Sequence, residues 1–66
     1  MEGSFLYLRD HHYKLVAVMP ELINMLYSTH RGTKALVYFT GEEAPRLFSH
    51  SVDEILEALD TFYNAS

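Results

Sequence analysis

Ser51, followed three residues later by Glu54 and then by apolar residues at every third or fourth position, commits the end of this chain to a helix. In such a pair the Ser51 hydroxyl and the Glu54 carboxylate each satisfy a backbone N–H that the first helical turn leaves without a partner. Val52, Ile55, Leu56, Leu59, Phe62 and Tyr63 then recur at helical spacing and form one apolar stripe. Asp53, Glu54, Glu57 and Asp60 lie on the opposite face, and the segment holds neither Lys nor Arg. A helix of this kind must bury its stripe, so the residues before it have to supply an apolar surface.

Those residues read mainly as strands. Phe5-Leu6-Tyr7-Leu8 is short, apolar and aromatic, and Asp10-His11-His12 breaks it with polar residues. From Tyr13 to Val18 the chain alternates, with Tyr13, Leu15 and Ala17 on one face and Lys14, Val16 and Val18 on the other, which predicts a hairpin. Lys34 to Thr40 is a further strand, placing Leu36 and Tyr38 opposite Val37 and Phe39. A turn over Thr40–Pro45 leads to a short strand over Arg46–Ser49, with Pro45 where a missing ladder donor is tolerated.

Residues 20–30 fit two periods. Pro20 suits the first position of a helix, and Met19, Leu22, Ile23, Leu26, Tyr27 and His30 share one helical face. Gly32 stands where a helix C-cap belongs. Ile23, Met25 and Tyr27 also alternate as in a strand, but the count of matching positions favours a helix. Glu21–Leu26 then aligns with Glu54–Leu59 in a pseudo-repeat. The expected fold is α+β: a small antiparallel sheet with two helices on one face (ββαββα), or four strands plus one C-terminal helix.

Sixty-six residues make one small domain, which buries only about 60% of the surface its unfolded chain exposes. With no Cys, disulfides and thiolate metal sites are excluded. The chain is still 48% hydrophobic with five Tyr and four Phe, more than so small a core can hide. That surplus points to self-association, as a homodimer, through Phe5, Tyr7, Tyr38 and Phe39 on apolar sheet surface.

The net charge of −4 is uneven. Residues 1–34 hold Arg9, Lys14, Arg31 and Lys34 against Glu2, Asp10 and Glu21, whereas residues 35–66 hold Arg46 against six acids. An acidic half disfavours phosphate backbones and suits a basic protein partner. The expected partner-binding residues are Asp53, Glu54, Glu57 and Asp60, with Glu42 and Glu43 from the preceding turn. Like charges one turn apart on a helix repel by a few tenths of a kcal/mol, which a basic partner would relieve. A nucleic-acid binder built on Arg9, Lys14, Arg31, Lys34 and Arg46 is the contrary reading, and salt-sensitive retention on DNA or RNA would reveal it.

Little else carries chemistry. Gly3, Gly32 and Gly41 are isolated, so no phosphate-cradling loop is present in the sequence. Ser49-His50-Ser51 sets hydroxyls beside an imidazole, but sequence neighbours seldom align as nucleophile and base, and Ser51 is committed to the cap. His11, His12, His30 and His50 lack the one-turn spacing of a metal chelate. The expectation is a non-enzymatic protein with no metal or cofactor. Charges interrupt every apolar run before bilayer length, and a secretory leader pattern is lacking, so the chain reads as cytoplasmic with no membrane association.

Pro20-Glu21-Leu22-Ile23, the stretch from Thr33 to Gly41, and Ser51-Val52-Asp53-Glu54-Ile55-Leu56 together resemble the small bacterial flagellar FlbD/SwrD-like family. The resemblance spans roughly residues 15–59 with insertions in both loops. Glu42-Glu43 departs from it, because the family usually has a basic residue after that turn. The resemblance implies a strand over residues 20–29, a non-enzymatic accessory role and no catalytic residues. On the residues themselves, the leading function is a small acidic regulator or inhibitor, including a phage-type nucleic-acid mimic, with the flagellar accessory role as the alternative.

Overall fold

The structure, a computed structural model, describes residues 5–64. Its elements in order are β1 (Leu6–Arg9), β2 (Leu15–Val18), a single 3-10 turn (Pro20–Leu22), β3 (Ile23–Thr29), β4 (Lys34–Phe39), β5 (Arg46–Phe48) and α1 (Val52–Asn64). The fold is α+β: an antiparallel β1–β2 pair, an antiparallel β3–β4–β5 sheet and one C-terminal helix.

Two expectations are corrected here. The helix over residues 20–30 does not form, which leaves the expected arrangement with one C-terminal helix, and the strands are five in two sheets rather than four in one. Met19 supplies no side-chain cap, Pro20 opens one turn, and the chain is already extended at Ile23 (φ −72°, ψ 121°). Ile23, Tyr27 and Thr29 favour a pleated strand, and β4 gives β3 a six-residue pairing partner, from Ile23 opposite Phe39 to Thr29 opposite Lys34. Gly32 serves the β3–β4 turn, at φ 85° beside His30 and Arg31 at φ 53° and 57°. The pseudo-repeat fails for the same reason, since Glu21–Leu26 is turn and strand where Glu54–Leu59 is helix. Of residues 20–29, which the flagellar resemblance makes a strand throughout, Ile23–Thr29 are extended and Pro20–Leu22 form the 3-10 turn.

The two sheets meet at one antiparallel bridge, Asp10 to Phe48. There the His11 N–H donates to the Leu47 carbonyl at 3.1 Å and the Ser49 N–H to the Arg9 carbonyl at 2.8 Å. The Ser49 hydroxyl adds a 2.7 Å bond to the Asp10 carbonyl. Across the junction the strands run β2–β1–β5–β4–β3, which leaves β2 and β3 as the outer strands.

The alternation read for β2 and β4 is the one observed. Leu8, Val18, Ala35, Val37, Phe48 and Ile55 are buried in one cluster, with Leu6, Val16, Ile23, Leu26, Phe39, Val52 and Leu59 packed around it. Phe48, Ile55 and Val37 are fully enclosed, and burial of this kind is worth about 1.5–3 kcal/mol per side chain. The α1 stripe meets this cluster through Ile55, and the helix packs against β1 and β3. Its start is the expected capping box: the Glu54 N–H donates to Ser51 Oγ at 3.1 Å, and the Ser51 N–H donates to Glu54 Oε1 at 3.0 Å. No helix among the described residues is long and apolar enough to cross a membrane.

Candidate functional site

Because α1 lies on the core by one side only, Asp53, Glu54, Glu57 and Asp60 all stand exposed, as the spacing predicts. The exposed face is not purely acidic. Leu56 and Tyr63, read from the sequence as part of the buried stripe, are 50% and 61% exposed. Asp53, Leu56, Glu57, Asp60 and Tyr63 follow one another at i, i+3, i+4, i+7 and i+10, so two apolar side chains sit among three carboxylates.

The acids differ in their partners. Glu54 is held by the cap, with His50 Nδ1 at 3.8 Å from its Oε1. Asp60 accepts from the Asn64 side chain at 2.9 Å. Asp53 and Glu57 have no ion pair among the described residues. Glu42 pairs with Arg46, 3.3 Å from Oε1 to the guanidinium, which also lies 6.0 Å from the Phe39 ring centre. Glu42 borders a groove with Phe5, Met19 and Leu22, whereas Asp53 borders a separate cleft beside β3 with Leu26 and Ser28. Glu43 is exposed in the same turn as Glu42.

The four expected self-association residues do not make one surface. Phe39 faces inward, its ring 6.1 Å from Phe48, because β4 alternates about a buried Val37. Tyr38 faces outward and meets Tyr27 edge-on at 5.4 Å. Tyr7 is exposed on the outer side of β1, opposite Ala17 and next to Leu15, and Phe5 lines the groove that also holds Phe39. Met25 and Tyr27, which the helical reading concealed, are 43% and 48% exposed on β3. The Ile23, Met25, Tyr27 alternation was the signal that marks them.

Two other polar side chains, Asp10 and His50, are bound into the framework. Asp10 Oδ1 accepts the N–H groups of Lys14 and His12, both at 2.9 Å, and closes the β1–β2 turn. The Lys14 N–H holds its carboxyl below the usual value; slight burial opposes this, while His12 and His11 assist. His50 Nε2 accepts the Arg9 N–H at 2.9 Å, joining β1 to the segment ahead of α1. No described hydrogen bond links a serine hydroxyl to that imidazole, and the described residues include no cluster of three potential metal ligands. The basic residues are spread over separate elements: Arg9 is drawn to the Tyr13 carbonyl, Arg46 to Glu42, and Arg31 and Lys34 belong to the β3–β4 hairpin.

No protein-family model matches this chain, and comparison with curated proteins and with solved structures gives no match.

Proposed function

We propose that this protein is a non-catalytic protein-binding module, a small acidic regulator or inhibitor of the cytoplasm. It engages a basic protein surface through α1 and associates with itself through apolar sheet surface. The observation that carries the first part is the exposed helix face, where Asp53, Glu57 and Asp60 surround Leu56 and Tyr63. Carboxylates at that spacing steer a basic partner, and the two apolar side chains are of the kind that anchors an interface once water leaves. A partner whose basic groove normally takes nucleic acid fits this face, as for a phage-type mimic.

Capture from a lysate by the wild type and by Asp53→Lys/Glu57→Lys/Asp60→Lys tests the reading. The wild type should retain a basic protein that elutes as salt rises, and the variant should lose it while its circular dichroism is unchanged. Equal retention by both refutes a role for this face. A second reading, a bacterial flagellar accessory protein, draws support from the strand at residues 23–29. Loss of motility on deletion of the gene from a flagellated host would favour it.

A further inference from the structure

The outer strand β3 has properties that the acidic helix does not explain. It is the longest strand among the described residues, seven residues, and among them it pairs on one side only, with β4. From Leu22 to Thr29 it has no charged residue and no proline. Exposed edges in proteins that stay apart are commonly short, charged or broken by proline, because unpaired N–H and C=O groups recruit further strands. The only irregularity in β3 is a register shift at its start, between Ile23 and Met25. The helix does not seal this edge: a cleft of about 340 Å³ lies between Leu26, Tyr27 and Ser28 of β3 and Ser51, Val52 and Asp53.

Charge at the two ends of the strand selects the occupant. Glu21 precedes β3 and Arg31 follows it, and both are exposed. A two-fold interface sets the same strand against itself. In antiparallel register centred on Leu26, Met25 meets the partner's Tyr27, Asn24 meets the partner's Ser28, and Ile23 meets the partner's Thr29. Glu21 of one copy, in the 3-10 turn ahead of β3, and Arg31 of the other, in the turn after it, then stand at the same end of the paired strands, so opposite charges flank an uncharged centre on both sides. Parallel pairing would set Glu21 on Glu21 and Arg31 on Arg31. Half-exposed Met25 and Tyr27, with Tyr38 against Tyr27, would extend as one apolar face across the dyad.

We infer that the protein forms a two-fold dimer in which β3 pairs antiparallel with β3 of a second copy about Leu26, joining the two three-stranded sheets into one of six strands. This rests on the self-association part of the proposed function and gives it a different surface from Phe5, Tyr7 and Phe39.

Sedimentation equilibrium of the full chain from micromolar to millimolar concentration tests it, with wild type, Glu21→Arg, Arg31→Glu, the double variant, and an equimolar mixture of the two single variants. The wild type should dimerise, and each single reversal should weaken dimerisation about tenfold or more, since two attractions become two repulsions. The double variant should recover wild-type affinity within about threefold, and the mixture should associate more tightly than either component. Unchanged circular dichroism of the single variants excludes misfolding as the cause. A wild-type dimer that ignores residues 21 and 31 overturns this geometry and leaves self-association standing. A wild type that is monomeric at millimolar concentration overturns both, and assigns the free edge to a strand of another protein.

Discussion

Asp10 shows how one side chain can organise two segments. Its carboxylate closes the β1–β2 turn through the N–H groups of Lys14 and His12, and its carbonyl accepts the Ser49 hydroxyl that ties β1 to β5. The folded carboxyl titrates below its ordinary value of 3.8, so the unfolded chain binds the proton more readily. Its contribution is therefore fully present above that ordinary value and is lost as the pH falls through the folded one. Asp10→Asn keeps an acceptor oxygen but has no charge to lose. Urea unfolding from pH 7 downward should show it less stable than the wild type near neutrality, with the two converging in acid. At the β3–β4 turn, His30 holds φ 53°, a left-handed region that strains most residues with a Cβ and that Asn, whose short polar side chain hydrogen-bonds locally, visits more readily. His30→Asn should raise stability by roughly 0.5 kcal/mol in the same assay. Ser51→Ala removes half of the capping box and should cost about 1 kcal/mol.

At the scale of elements, β5 matters out of proportion to its three residues. Phe48 is fully buried, pairs with Ala35 in β4, and is the β5 side of the bridge to β1. Phe48→Ala should cost about 3–5 kcal/mol and loosen both sheets together, read as a collapse of thermal unfolding cooperativity. β2 and β4 were legible in the sequence because each alternates strictly about a buried residue, Val18 and Val37. Residues 20–30 were not, because Leu22, Ile23, Leu26 and Tyr27 satisfy a helical face while Ile23, Met25 and Tyr27 satisfy a strand. Intrinsic periodicity leaves such a segment undecided, and pairing with β4 decides it. Circular dichroism should accordingly report the content of α1 alone.

For the molecule as a whole, charge and apolar surface divide between two places. The carboxylates of α1 project with Leu56 and Tyr63, while β3 offers an uncharged edge with opposite charges at its ends. These surfaces make separable predictions: reversing Asp53, Glu57 and Asp60 should abolish binding of a basic partner without altering the mass of the particle. The single chain has a radius of gyration of 11.4 Å. Small-angle scattering of an edge-paired dimer should therefore give a value well above that, and Glu21→Arg should return it toward the single-chain figure. The acidic residues of the candidate site were legible because a helical repeat places them directly. Phe39, expected on apolar surface, lies half-buried between the core and the groove with Phe5, since alternation identifies two faces of a strand without saying which one meets the core.

The amino-acid sequence by itself determined what short-range physics controls: the capped helix from Ser51, the acidic residues on its outer side, the alternation of β2 and β4, and the turn around Asp10. Tertiary structure alone decided that residues 23–29 are a strand, that two sheets join through Asp10 and Phe48, and that Leu56 and Tyr63 remain uncovered. The difference is physical. Caps and periodic stripes act within one or two turns of chain, whereas strand identity, strand order and the extent of burial depend on which distant segment arrives to share hydrogen bonds and exclude water.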